Sequence, residues 1–316
     1  MSEVKFSVFA DLHHYPGVFC TDACNRLRAI IDRAVKSEVD FIISLGDFNH
    51  SAPHFTDIFD IANNSPLPIY HTMGNHDTDG ASLDDVLKYY NMPAEYYYTD
   101  LGGFRFIMLD TNYYRHSNGC THYQFRNYFD FPQTRETMPD EELHFLEDAI
   151  NSSPYPCILC SHASLERHHF GGGGLTNQAQ VREIIRRANA NGRKVLMSLN
   201  GHHHRDNLRI LDNVAYFDVN SASFDWLSKP QELFPENLRK EYEMVDHQAI
   251  FSDALSAIVT VNSDGTIKID GCSSGFLHGV TREMSPNPPC DGAGRPCTAE
   301  ILSANFKLLG CVLNID

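Results

Sequence analysis

Five short, largely apolar runs in this chain each end in a turn whose side chains can bind metals or move protons. Residues 4–10 lead into Asp11-Leu12-His13-His14, 41–45 into Gly46-Asp47-Phe48-Asn49-His50, and 68–73 into Gly74-Asn75-His76-Asp77. Residues 157–160 lead into Ser161-His162, and 194–199 into Asn200-Gly201-His202-His203-His204. Runs of this length bounded by turn residues read as strands. Between the first two, Leu27, Ile30, Ile31, Ala34 and Val35 share one face of a helix with Thr21 as its expected N-cap. Strand, polar loop and helix in repeated order predict an α/β sheet buried on both faces, with function in the loops after the strands.

The rest of the chain extends the pattern. Helices are expected over 54–63, 81–91, from 139 onward and over 178–191, and strands over 95–99, 104–109, 207–211 and 215–219. A hairpin is expected from 256–261 and 266–269 around Asn262-Ser263-Asp264-Gly265. Residues 112–138 break the rhythm as a long aromatic loop, readable as a substrate wall or lid or as aromatic packing on the surface. The glycine run 171–174 lacks the Lys-Ser/Thr of a phosphate-binding P-loop and reads as a flexible loop. The main domain is placed at 1–275, with a Pro/Gly/Cys-rich tail at 276–316 whose structure is open.

A net charge of -16 disfavours binding to long nucleic acid or an anionic membrane. It leaves room for a small phosphorylated substrate if metal ions supply local positive charge. No leader segment or bilayer-length apolar run is read, so the expected location is the cytoplasm. The nine cysteines read as reduced thiols. Cys157 and Cys160, three apart in a strand, should lie on opposite faces, and Cys290 with Cys297 could pair or bind a metal.

The turn residues Asp11, His13, Asp47, Asn75, His162, His202 and His204 mix carboxylate, amide oxygen and imidazole, with no thiolate. That donor set suits manganese, iron or a catalytic zinc. Seven ligands are too many for one open ion and suit two, held roughly 3.5–4 Å apart by a shared carboxylate. Asp-x-His and His-x-His place both side chains on one side of an extended segment. In the Gly74-Asn75-His76-Asp77 turn, Gly74 permits the sharp bend, Asn75 offers an oxygen, and Asp77 can orient and charge-stabilise His76.

Asp11-x-His13, Gly46-Asp47, Gly74-Asn75-His76-Asp77, His162 and Gly201-His202-x-His204, in that order, resemble the calcineurin-like metallophosphoesterase superfamily over about residues 4–220. Leu143-x-Phe145-Leu146-Glu147 is similar to the branch of class III cyclic nucleotide phosphodiesterases and related small-molecule phosphodiesterases. The resemblance implies a four-layer α/β/β/α sandwich with two mixed sheets and a dinuclear metal site at the strand C-terminal ends. It implies that Asp11, His13 and His204 bind one ion, Asn75, His162 and His202 the other, and that Asp47 bridges. His76 would assist the leaving group, steadied by Asp77, while a metal-activated hydroxide attacks phosphorus. His203 would point away. Many members carry Asp where this chain has His50, three residues after the bridging aspartate, and the purple acid phosphatases carry an iron-binding tyrosine there. The iron-tyrosinate site is therefore not expected, and His50 is open as an orienter, a substrate contact or a turn residue.

Arg115, His116, Tyr113 and Tyr114 are candidate contacts to a base or sugar, and Arg205 to phosphate; His168 and His169 read as solvated loop residues. The expected function is a metal-dependent phosphodiesterase acting on a small soluble substrate of nucleotide or phosphoglycerol type; an oligomer is possible. The alternatives are a phosphomonoesterase of the same fold and, in a different class, a non-catalytic protein-binding scaffold.

Overall fold

In the computed structural model, residues 2–166, 174–190, 192, 194–227, 230–284 and 298–309 are described. Two six-stranded mixed sheets form the centre. In the first, strands Glu3–Phe9, Phe41–Ser44 and Ile69–His71 run parallel, and the hairpin Ala257–Asn262 and Thr266–Asp270 adds antiparallel to Glu3–Phe9. In the second, Phe104–Met108, Cys157–Ser161, Val195–Asn200 and Val214–Asp218 run parallel, edged by antiparallel Tyr97–Leu101 and Asn207–Leu211.

Alternation along the strands sorts side chains between layers. Val4, Phe6 and Val8 of the first sheet meet Phe104, Phe106 and Met108 of the second in the inter-sheet core. Phe106 packs edge-on against both Phe6 and Phe41, with ring centroids 5.3 and 5.1 Å away. Phe9 and Ile42 face outward under helices Ala23–Lys36, Asp57–Asn63 and Leu83–Tyr89. Ile107 and Leu159 face the opposite way, under Asp140–Ser152 and Gln178–Ala190. The result is the expected α/β/β/α sandwich. Cys160 lies in the inter-sheet core and Cys157 in the outer one, as their spacing predicts.

Three expectations change. The 112–138 segment is not structureless: Tyr113–His116, Gly119–His122 and Arg135–Thr137 form a small antiparallel sheet. Its aromatics pack on one another, with Tyr114 on Phe131 at 4.1 Å and Tyr123 on Tyr128 at 4.5 Å. The first long helix starts one residue later than expected, with Asp22 rather than Thr21 at its N-cap. The tail does not part from the domain at 275, because Ala304–Lys307 pairs with Thr266–Asp270 and completes the first sheet. The glycines 171–173, His168, His169, Cys290 and Cys297 lie outside the described residues.

Candidate metal centre

The turns after five parallel strands converge where the two sheets meet at their C-terminal ends. Backbone hydrogen bonds align the first two, with Asp11 N–H donating to Gly46 O and His13 N–H to Asp47 O. Asp11, His13, Asp47, His202 and His204 all take left-handed backbone angles, with φ of 54°, 53°, 51°, 70° and 51°. For non-glycine residues this costs about 1–3 kcal/mol each and persists only where the surroundings enforce it. The turns also press against each other. A Cβ on Gly74 would lie 2.2 Å from the Asp47 amide nitrogen, and one on Gly201 would lie 2.6 Å from Ala10 Cβ. Close approach, rather than a left-handed turn, is therefore what Gly74 provides.

Two donor clusters result. Asp11, His13 and His204 form one; Asp47, His162 and His202 form the other. Asn75 Oδ1 joins the second at 3.1 Å from His162 Nε2. Asp47 Oδ2 stands between them, 3.7 Å from His13 Nε2 and 3.3 Å from His162 Nε2. His203 belongs to neither cluster.

The hydrogen bonds show whether these side chains suit a cation. His162 Nδ1 is 2.7 Å from Leu45 O, His204 Nδ1 is 2.6 Å from Phe224 O, and His202 Nε2 is 3.1 Å from Glu136 Oε1. Each of these outward nitrogens faces an acceptor, so it carries the N–H, and in the neutral ring the inward nitrogen carries a lone pair. For His162, burial would lower the pKa, but the Asp47 and Asp11 carboxylates outweigh it and raise it to about 10, so there the neutral form is one that a cation would have to impose. The inward atoms then face each other: His13 Nε2 is 3.0 Å from His204 Nε2, and His202 Nδ1 is 3.1 Å from His162 Nε2. Lone pairs gathered at that distance beside buried carboxylates fit metal ions. Burial lowers the pKa of His13 and takes that of His204 down to about 3, which favours the neutral ligand form.

The Gly74-Asn75-His76-Asp77 turn divides its work differently from the expectation. Asp77 does not steady His76. Its carboxylate accepts the backbone N–H groups of Asp47, Phe48, Asn49 and Gly74 at 2.7–3.0 Å and the Tyr90 hydroxyl at 2.6 Å. It thereby stitches the Asp47 loop to the Asn75 turn. Asp79, two residues further along, takes the expected job, with its Oδ2 2.7 Å from His76 Nδ1. The same oxygen is 3.5 Å from His50 Nδ1, and His50 Nε2 is 2.8 Å from His13 Nδ1. His50 is thus a buried orienter of His13 and not a substrate contact. Burial would raise the Asp79 carboxyl, but the hydrogen bond to His76 and the nearby His50 imidazole outweigh it and hold it well below the ordinary range. Burial likewise disfavours charge on His76, and the carboxylates of Asp47 and Asp79 outweigh it, so its pKa lies above the usual value.

The 112–138 segment reaches both ends of this centre. Tyr128 donates its hydroxyl to Asp79 Oδ1 at 2.9 Å, and Arg126 Nε lies 3.4 Å from Asp79 Oδ2. Glu136, at φ 61°, holds His202. Asp79 and Glu136 were not evident from sequence. The spacing of three from His76 was the one available signal for Asp79; Glu136 had none. Glu136→Gln is expected to weaken metal affinity about 10-fold, as loss of an outer partner of a metal-binding histidine does. The concentration of Mn²⁺ needed for half-maximal turnover measures it.

The other candidate substrate contacts have different partners. Arg115 Nη2 lies 3.7 Å from Asp140, and His116 Nε2 lies 2.9 Å from Thr121 Oγ1; neither partner belongs to the centre. Tyr113 donates to Glu95, and Tyr114 is spent on Phe131. Arg205 is buried and paired with Asp225 rather than open to phosphate.

No curated protein sequence matches the chain. Among solved structures, a dimetal phosphatase from Danio rerio is similar, with 14% identity, a TM-score of 0.58, and 86% of this chain and 96% of that one covered. GAP50, described as the anchor in the inner membrane complex of Plasmodium, has 12% identity and a TM-score of 0.57, with 98% and 90% covered. At these identities the likeness is one of fold. The family model described as calcineurin-like phosphoesterase matches residues 4–206. With the sandwich and its paired donor clusters, that match settles the class: the chain belongs to the calcineurin-like phosphoesterase family and is a phosphoesterase.

Proposed function

We propose that the protein is a phosphodiesterase for a small soluble substrate, of nucleotide or phosphoglycerol type, working with two ions drawn from manganese, iron and zinc. The observation that carries this reading is the pair of inward-facing donor clusters with Asp47 between them. Asp11, His13 and His204 would hold one ion, Asn75, His162 and His202 the other, and Asp47 both. Such ions, when bound, offset the charge of phosphate oxygens and acidify the attacking water. The dimetal phosphatase among the structural neighbours is in keeping with this chemistry.

His76 supplies the proton for the leaving oxygen. Asp79 engages Nδ1, which leaves Nε2 as the nitrogen that gives up its proton. The backbone N–H of His76 donates to Asp47 Oδ1 at 2.8 Å, so one residue ties the acid to the bridging carboxylate. The aromatic surroundings suit a nucleotide-type substrate. Tyr15 stacks on His50 at 4.7 Å, Trp226 stacks on His204 at 6.0 Å, and Phe125 is 62% exposed beside Arg126. Flat, half-open rings beside the centre suit a substrate with a ring beyond the phosphorus. A cytoplasmic setting fits a small soluble substrate; among the described residues no helix is long and apolar enough to cross a membrane.

Chelation followed by Mn²⁺ addition tests the reading, with matched aryl monoesters and diesters as substrates. Metal removal is expected to abolish turnover and to lower the unfolding midpoint by roughly 5–10 °C, from the loss of tightly bound ligand. Mn²⁺ should restore both, with diesters turned over faster. Faster monoester turnover would select the phosphomonoesterase. Two bound ions without hydrolysis of any phosphate ester would select the binding scaffold, a role closer to the anchor description of GAP50.

A further inference from the structure

Outside the paired clusters, a third group of metal-binding side chains converges from three separate segments. His14 Nε2 lies 2.8 Å from Asp57 Oδ1, and Cys24 Sγ lies 3.3 Å from Asp57 Oδ2. The imidazole, thiol and carboxylate ligand atoms all fall within 4.8 Å of one another. The segments are fixed relative to each other before any ion arrives. His14 N–H donates to Phe48 O at 3.0 Å, Asn49 Nδ2 in that loop donates to Phe55 O at 2.6 Å just before Asp57, and Thr21 Oγ1 just before Cys24 donates to His13 O at 3.1 Å. Cys24 sits in the first turn of Ala23–Lys36, and Asp57 opens Asp57–Asn63. His14 is buried, while the Asp57 side chain is 66% exposed, so one side of the group is open to solvent.

We propose that His14, Cys24 and Asp57 form a separate binding site for a zinc-like divalent ion, with water completing its coordination. One nitrogen, one sulfur and one oxygen donor match the borderline-soft preference of zinc and cobalt and disfavour magnesium or calcium. Without an ion, burial and the Asp57 carboxylate push the Cys24 thiol up to about 12, so it is a poor nucleophile. Binding would release the Sγ proton to solvent and leave thiolate on the ion. His14 follows His13 directly, so an ion here would tie the starts of two outer helices to the turn that supplies a ligand of the paired centre.

The test is cobalt titration of the Mn²⁺-loaded full chain. The paired centre has no sulfur donor, so a thiolate-to-cobalt charge-transfer band reports cysteine ligation alone. The expected result is one equivalent of cobalt with this band in the wild type, no band in Cys24→Ser, and clearly weaker binding in Asp57→Asn, with Mn²⁺-dependent turnover retained in both variants. Absence of the band in the wild type overturns the proposal. So does its persistence in Cys24→Ser, or an unchanged titration in Asp57→Asn. If Cys24→Ser fails to fold, the wild-type spectrum and Asp57→Asn still decide. The outcome is independent of whether the paired centre cleaves diesters.

Discussion

His76→Ala is expected to lower kcat by about 10²–10⁴-fold, the usual contribution of a positioned general acid, while two ions stay bound. The imidazole is no part of either donor cluster of the paired centre, and the link from residue 76 to Asp47 runs through the backbone N–H, which alanine keeps. The loss should shrink sharply on an aryl ester whose leaving group needs no proton. Equal losses on good and poor leaving groups, or loss of metal, would show that His76 does not act as the acid. Asp79→Asn should give a smaller loss, about 10–100-fold. Part of it should appear in metal affinity, because Asp79 also reaches His13 through His50. Measuring kcat together with metal content separates the two parts.

Asp77→Ala should act on stability instead. The substitution strands the buried backbone N–H groups of Asp47, Phe48 and Gly74, while the Asn49 N–H keeps the Tyr90 hydroxyl at 3.1 Å as its acceptor and that hydroxyl keeps Asn49 O. Each stranded donor costs about 1–3 kcal/mol before relaxation, so a net loss of at least about 3 kcal/mol is expected, read by chemical denaturation. Metal content should fall with it, because the Asp47 loop and the Asn75 turn lose their common anchor. Asp77→Asn, which keeps an acceptor oxygen, should be milder. A stable, metal-loaded Asp77→Ala with only a turnover defect would return Asp77 to the orienting role that the sequence suggested.

The contrast between Asp77 and Asp79 shows where sequence reading stops. The seven donor positions were legible because each follows a short apolar run, and a strand end limits where the next side chain can go. An acidic residue beside a histidine was naturally paired with it. In the folded turn, residues 76 and 77 serve different neighbours, and the partner of His76 comes three residues later. Glu136 was hidden for another reason. It lies in strands of three or four residues, too short for an alternation to show, and its place against His202 depends on the packing of the whole segment. His50 looked like a departure from a family pattern; its neighbours on both sides show that it relays an orienting contact to His13. The layered fold was easier to foresee, because alternation and helical periodicity persist over many residues.

Neither donor cluster belongs to one sheet. Asp11, His13, Asp47 and Asn75 follow strands of the first sheet, whereas His162, His202 and His204 follow strands of the second. Each donor set is complete only when the two sheets dock. With ions held as proposed, metal uptake would follow docking of the two sheets, in contrast to small zinc domains whose ion starts their folding. A fragment ending after the first three parallel strands and their turns would hold Asp11, His13, Asp47 and Asn75 but none of His162, His202 and His204, so neither donor set would be complete without the second sheet.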